Sequence, residues 1–342
     1  MCLLVHRQLT SENKGYPQVH VGALEAPDPF CHSSGMELNL SHICSAMHTH
    51  RELKESGMSN NLISAKHRRG ELIRLTRGVY LKGDIARHCT GSDRAKAVTV
   101  ALQKTRPTAV VSHQSAALLW GAPLMALPPK VHLSLLGINK SGHPQAILHS
   151  HKVKECSLAA DLGGVKVTNP LTTVIDCGKT MPLQESLAIA DFFLKHGNLE
   201  LNTAREELEH CAGRGSQKLR VVAALMSPLS ESPLESFARL RLYQGGIEQP
   251  IQQFEITTPS GRLYRADFAW PHLKLLLEVD GLHKYYGAYR ATDEQLRNDA
   301  LRQRELELAG WTVIRATWGD LAQRPELLIS RLRHFGVRAT GQ

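Results

Sequence analysis

Residues 263–283 constrain this chain more than any other stretch. Two short apolar segments, Arg265-Ala266-Asp267-Phe268-Ala269-Trp270 and Lys274-Leu275-Leu276-Leu277-Glu278-Val279-Asp280-Gly281-Leu282-His283, carry three carboxylates and a histidine. Such apolar strands are buried, and an ionised carboxylate left unpartnered in a low-dielectric interior is strongly destabilising. The acids must share a cation or line a solvated cleft, and a hard divalent metal facing a phosphate meets both conditions. Thr258-Pro259-Ser260 and Gly261 form a turn, 263–270 reads as one strand, 271–274 as a tight turn and 275–280 as the returning strand. With His272 and Leu273 at the loop, Asp267 lies opposite Glu278. Side chains alternate along a strand, so Glu278 and Asp280 share one face while Leu277 and Val279 share the other. Mg²⁺ takes one or two protein carboxylates and completes its octahedron with water and phosphate oxygens. The competing reading is an acidic strand end that meets arginines from a neighbouring helix.

The flanking segments predict a layered domain. Ser232-Pro233-Leu234-Glu235 opens a helix, with Ser232 as N-cap, Pro233 at the first helical position and Glu235 placed for a capping box. Downstream, 293–308 reads as a helix stopped by Gly310, 311–315 as a strand and 325–335 as a final helix. Helices on both faces of a small mixed sheet give an α/β sandwich.

The region from Ser232 to about Gly336 resembles the very short patch repair endonuclease group of the PD-(D/E)XK restriction-endonuclease superfamily. The resemblance is carried by Ser232-Pro233-Leu234-Glu235, Asp267-Phe268-Ala269-Trp270-Pro271, Glu278-Val279-Asp280-Gly281 with His283, Arg297-Asn298-Asp299 with Arg302, and Gly310-Trp311-Thr312-Val313-Ile314-Arg315. It implies a restriction-endonuclease-like fold and a metal-dependent endonuclease using Mg²⁺ or Mn²⁺. Asp267 would be the metal-binding aspartate and Glu278 the second acid. Asp280 stands where the superfamily name has lysine. A lysine orients the attacking water, which an aspartate cannot do, so His283 is the expected substitute: an imidazole exchanges protons near neutrality. Glu235 is carried as a further catalytic candidate beside its capping role, and Arg297 and Arg302 as candidate DNA contacts.

A formal charge of +9, from 41 Lys plus Arg against 32 Asp plus Glu, favours a polyanionic partner. The length of 342 residues suits two to three domains. No apolar run approaches the roughly 18 residues of a membrane span. Seven scattered cysteines without a Cys-x-x-Cys pair predict a reducing cytoplasm. Residues 1–48 lack periodicity and are expected to be disordered or an upstream extension of the frame, with Met36 or Met47 as the start.

A basic unit follows at 49–84. A helix ended by Gly57, a second helix capped by Asn60 or Asn61 and running to Arg69, and a hairpin turning at Thr76-Arg77-Gly78 describe a winged helix-turn-helix. Its second helix would offer Lys66, His67, Arg68 and Arg69 to the major groove of DNA, and its wing Arg74 and Arg77 to phosphates. Through Gly70-Glu71-Leu72-Ile73-Arg74 and Arg77-Gly78-Val79-Tyr80 the unit resembles the N-terminal domain of AbiEi-type antitoxins, which implies a regulator with a cognate toxin or self-association as partner. The middle, 85–227, contains Val110 to Gly121 and Val167 to Asp176, similar to segments of the same family, and is expected to be an α+β domain orienting the two ends. Ser112, His113 and Asp176 invite a hydrolase triad, but no nucleophile elbow is present, and helix caps explain Ser112 and Thr172. The last domain spans 228–338. The sequence as a whole predicts a multi-domain α/β protein, either a metal-dependent DNA endonuclease or a DNA-binding regulator with a repurposed nuclease fold.

Overall fold

The computed structural model describes residues 39–136, 143–151, 159–280 and 293–340. Within them the chain is an α/β protein with three sheets. The first sheet belongs to the basic unit. Helices α1 (Leu40–Ser45), α2 (His50–Glu55) and α3 (Asn60–Arg68) accompany strands β1 (Met47–Thr49), β2 (Leu72–Thr76) and β3 (Val79–Lys82), in the order β1-β3-β2. Leu53, Ile63 and Leu72 form its small core, with Met58 and Tyr80 against it.

Two expectations are corrected here. The cap of α3 is Ser59, whose side chain accepts from Leu62 N at 3.2 Å, so Asn60 and Asn61 are already helical. Residues 40–48 are also folded rather than disordered: Ile43 and Met47 are buried, and β1 pairs antiparallel with β3. These two apolar side chains are the anchor that the Pro- and Gly-bearing sequence before them conceals. Gly83 follows β3 where a β-carbon would lie 1.8 Å from the Gly70 carbonyl oxygen, so no larger residue fits.

Helices α4 (Gly83–His88) and α5 (Gly91–Lys104) lead into the second sheet. Its strands β4 (Val110–Val111), β5 (Val131–Leu136), β6 (Ala146–His151), β7 (Ala159–Asp161) and β8 (Lys166–Thr168) run in the order β6-β5-β4-β8-β7. One core unites this sheet with the basic unit, because Val79 and Leu81 of β3 pack with Ala97, Val100 and Ala101 of α5 and with Val111, Leu133 and Val167.

Helices α6 (His113–Trp120), α7 (Pro170–Thr180), α8 (Leu183–Lys195), α9 (Leu201–His210) and α10 (Ser216–Leu225) precede α11 (Pro233–Gln244). The third sheet contains β9 (Ile251–Thr257), β10 (Leu263–Trp270), β11 (Leu275–Asp280) and β12 (Thr312–Thr317), in the order β12-β11-β10-β9. Strands β11 and β12 are parallel and the other pairs antiparallel. Helix α12 (Asp293–Leu308) precedes β12, and α13 (Trp318–Ala322) and α14 (Pro325–His334) follow it. The sheet is covered on both faces. Phe268, Trp270, Leu275 and Leu277 pack with α11, α13 and α14, while Ala269 and Leu276 pack with Leu306 of α12 and Trp311.

The expected boundary at 227 is not a break in packing. Leu187, Ile189 and Phe193 of α8 share one core with Phe237 of α11 and with the third sheet. Buried Arg239 of α11 is paired with buried Asp191 of α8 and donates to the Leu225 carbonyl. Asp191 also accepts from Ser227 N at 2.8 Å and Ser236 Oγ at 2.6 Å. Burial pushes the Asp191 carboxyl upward, and Arg239 opposes it. Removing one partner leaves the other as an uncompensated buried charge. Asp191→Ala should therefore lower the unfolding free energy by about 3–5 kcal/mol in urea titrations. A fragment beginning at Ser227, which lacks Asp191, should unfold without a cooperative transition.

Candidate functional site

The acids lie at one end of the third sheet. The pairs Phe268↔Leu277 and Trp270↔Leu275 fix the β10–β11 register, which carries Asp267 to the position facing Glu278. There the ladder gives way to a side-chain bond, Asp267 Oδ2 accepting from Val279 N at 2.8 Å. Asp267, Glu278 and Asp280 share the strand parity of Ala269 and Leu276, so they project toward the α12 layer. Arg302 of α12 donates to Glu278 Oε1 at 2.6 Å and to the Arg265 carbonyl at 2.8 Å. Arg315 of β12 lies 3.9 Å from Glu278 and 3.7 Å from Asp280. Among the described residues these acids do not close into a trio of ligand atoms within the 4.8 Å reach that would hold an ion as they stand.

Glu235 approaches from α11. Ser232 Oγ accepts from Glu235 N at 3.2 Å and donates to Glu235 Oε1 at 2.8 Å. The reciprocal backbone bond comes from Glu231 N at 2.9 Å, one residue before the cap, so the capping box is displaced. Gln253 Nε2 donates to the same carboxylate at 2.9 Å. Gln253 sits across from Asp267 with a left-handed φ of 50°, a conformation that costs an L residue energy and re-aims its side chain. Gln253 carried no functional signal in the sequence, and Arg315 entered only as the last residue of a motif that carries the resemblance, with no role assigned to it. His283 lies outside the described residues.

Burial dominates the electrostatics. It pushes the Glu278 carboxyl up; Arg302 and Arg315 oppose this, and Asp267 and Asp280 reinforce it. Burial also raises Glu235, with the Glu231 N–H opposing and the Asp267 charge reinforcing. Asp267 thus sits within electrostatic range of both glutamates.

The candidate DNA contacts separate into two groups. Lys66 Nζ lies 2.6 Å from Glu71 and Arg69 lies 3.5 Å from it, so one acid draws in a basic residue of α3 and the one at its C-cap. His67 Nδ1 is bonded to the Leu72 carbonyl at 3.0 Å. Arg68 and Arg77 are exposed, as is Arg74, which donates to the Thr76 carbonyl at 3.4 Å. Arg297 is exposed on α12, whereas Arg302 is the clamp on Glu278. In helix-turn-helix geometry the N-terminal residues of the second helix read bases. Those positions in α3 are the exposed Asn60, Asn61 and Ser64, which the sequence reading passed over by taking the asparagines as caps.

A second cluster lies in the middle sheet. His113 Nδ1 is 3.0 Å from Ser112 Oγ and 3.4 Å from Asp176 Oδ2. Both contacts fall on one ring nitrogen, whereas a triad needs nucleophile and acid on opposite nitrogens, so these residues are not a hydrolase triad. Ser112 occupies the N-cap position of α6 without a capping bond, and the cap of α7 is Asn169 rather than Thr172, which donates its N–H to it at 2.8 Å. His132 and His149 join His113, with His132 Nδ1 3.0 Å from His149 Nε2. Burial lowers the His132 imidazole.

No family model matches the chain. Two proteins of Mycobacterium tuberculosis, "Uncharacterized protein MT2308" of strain CDC 1551 / Oshkosh and "Uncharacterized protein Rv2248" of strain ATCC 25618 / H37Rv, are each 27% identical over 180 residues. The match spans 51% of this chain and 63% of each relative. A crystal structure of the RV2827C protein from the same species aligns with TM-score 0.36 and 12% identity, over 58% of this chain and 77% of that one.

The raised Glu278 carboxyl has a consequence for stability. A group whose proton affinity rises on folding contributes stability that is full below its unfolded pKa and is lost as pH climbs through the folded one. Glu278→Gln removes that titration. Unfolding free energies measured from about pH 4 to about pH 7 should therefore shift steadily in favour of the variant relative to the parent. A shift in favour of the parent would show that the Arg302 ion pair outweighs burial.

Proposed function

We propose that this chain binds DNA through its winged unit and hydrolyses phosphodiester bonds at the acidic end of its third sheet with the help of a divalent metal. The observation supporting this most directly is the gathering of Glu235, Asp267, Glu278 and Asp280 around one strand pair. The guanidiniums of Arg302 and Arg315 stand at the same end of the sheet as these carboxylates. The donors are oxygens, which suit Mg²⁺ or Mn²⁺. Asp267, Glu278 and Asp280 are the residues that would hold the ion, and it would supply charge to a phosphate oxygen and acidify a water.

The rest of the chemistry falls to the chain itself. Glu278 would hold the ion in place of its Arg302 pair, and that guanidinium, at the same end of the sheet, would meet a phosphate oxygen. Glu235, with its raised proton affinity and its place fixed by Ser232 and Gln253, is suited to hold and return a proton. Asp280 cannot supply the positive charge of a lysine, and His283 remains the proposed substitute. Asn60, Asn61 and Ser64 would face base edges, and Arg68, Arg74 and Arg77 phosphates. The free cysteines Cys44, Cys89, Cys177 and Cys211 fit a reducing cytoplasm. No helix among the described residues is long and apolar enough to cross a membrane.

One observation favours the second reading, an antitoxin-type regulator with a toxin or a second copy as partner. Arg302 lies 2.6 Å from Glu278 and Arg315 bridges Glu278 and Asp280, so protein cations already stand on the acids. Plasmid nicking separates the two. With Mg²⁺ or Mn²⁺ the parent should nick supercoiled DNA, a chelator should stop it, and Asp267→Asn should abolish it while leaving DNA affinity largely unchanged. Undiminished DNA binding without nicking in any divalent metal would leave the regulator.

The winged unit has its own test. Glu71→Gln releases Lys66 and Arg69, each able to displace counterions from DNA. The slope of log affinity against log salt should steepen by about one to two units, and affinity at low salt should rise. An unchanged slope would place the DNA-binding surface elsewhere.

A further inference from the structure

Three histidines from separate segments meet beside the middle sheet. His113 opens α6, while His132 lies on β5 and His149 on β6. The parallel β5–β6 register pairs Ser134 with His149 and His132 with Ile147, so the two strand histidines share a face, two positions apart. One ligand atom from each histidine lies within 4.8 Å of the others. The rings of His113 and His149 stack with centroids 3.8 Å apart, and those of His132 and His149 at 5.1 Å.

The surroundings hold these rings in place. The His132 backbone is gripped on both sides: its N–H donates to Ser115 Oγ at 2.9 Å and its carbonyl accepts from Ser112 N at 3.0 Å. His113 has a left-handed φ of 53° and is buried. Its Nδ1 faces Ser112 Oγ and the buried carboxylate of Asp176. A carboxylate behind a histidine is the arrangement that fixes a metal-binding imidazole in one tautomer and raises its basicity.

We infer that His113, His132 and His149 form a binding site for a borderline divalent transition metal, with Zn²⁺ as the best match. His113 would bind through Nε2 while Ser112 and Asp176 hold its Nδ1, His132 through Nδ1 and His149 through Nε2. Tetrahedral zinc with bonds near 2.0–2.1 Å sets its ligand nitrogens roughly 3.4 Å apart. The 3.0 Å between His132 and His149 and the 4.8 Å limit of the cluster bracket that spacing. Imidazole nitrogens select zinc, nickel or copper over magnesium and calcium, so this site differs in chemistry from the oxygen site of the third sheet and does not depend on it. Three protein ligands leave a fourth position for water or an exogenous donor. The ion would pin the edge strand β6 to the start of α6.

The test uses the full chain, purified without a metal-affinity tag and stripped with chelator. Zn²⁺ titration against a chromophoric competitor should show one tight equivalent that disappears in His149→Gln and weakens about 10- to 100-fold in Asp176→Asn. Co²⁺ should give the visible bands of a four-coordinate nitrogen site in the parent alone. Zn²⁺ but not Mg²⁺ should raise the melting temperature of the parent and leave that of His149→Gln unchanged. The chain has 18 histidines, and adventitious binding by the others would be insensitive to these substitutions. Equal zinc binding by parent and His149→Gln, or a parent without the Co²⁺ bands, overturns the proposal.

Discussion

The buried pair between Asp191 and Arg239 is the constraint on which the rest of the architecture turns. Arg239 sits in the middle of α11, the helix that covers one face of the third sheet, and its side chain is buried. Such a cation is tolerated only where its partners are in place, and those partners come from α8 and from the end of α10, through Asp191 and the Leu225 carbonyl. The helices of the middle region therefore belong structurally to the acidic sheet, even though they precede it in the chain. Helix α5 does the same service at the other end, lying in one core with the winged unit and the middle sheet. The chain is divided by its sheets but joined by its helices.

This explains what the sequence could and could not reveal. Local elements were legible where a short-range rule determines them. The β10–β11 hairpin is an example: its tight turn and alternating pattern leave one register, which is the one that places Asp267 against Glu278. The strand after Gly310 and the closing helix were visible for similar reasons, although β12 runs two residues past the expected end, to Thr317. Boundaries between domains were not legible, because they depend on which helix faces meet. Nothing near Asp191 announces that its partner lies 48 residues away. Caps were misread where two neighbouring residues compete, as at Ser59 and Asn60, since the winner depends on where the helix begins against the core.

The acidic site was legible in its composition and not in its balance. Buried carboxylates on paired strands imply compensating charge, and the sequence left open a metal or arginines from a neighbouring helix. The structure supplies the arginines, Arg302 from the neighbouring helix as that reading had it and Arg315 from the parallel neighbour strand. Neither distance follows from spacing along the chain. Arg302 was carried from the family resemblance as a candidate DNA contact, and its place on a polar helix gives no sign that it reaches Glu278. The histidine cluster was missed for a related reason: its members are far apart in sequence, and β5 and β6 align them only because they run parallel.

Two donor sets of opposite chemical character therefore occupy two different sheets. Carboxylates held near arginines favour a hard cation that arrives with a phosphate and leaves with it, because the arginines can take its place. Imidazoles with a carboxylate behind one of them favour a softer ion. Under the proposed function, Glu278 would exchange its arginine partner for the metal, which would link occupancy of the acidic site to the position of α12 through Arg302. The second holds a strand edge to a helix start and gains from being permanent. Under the proposed function, the oxygen site would respond to substrate and the nitrogen site would keep its scaffold in place.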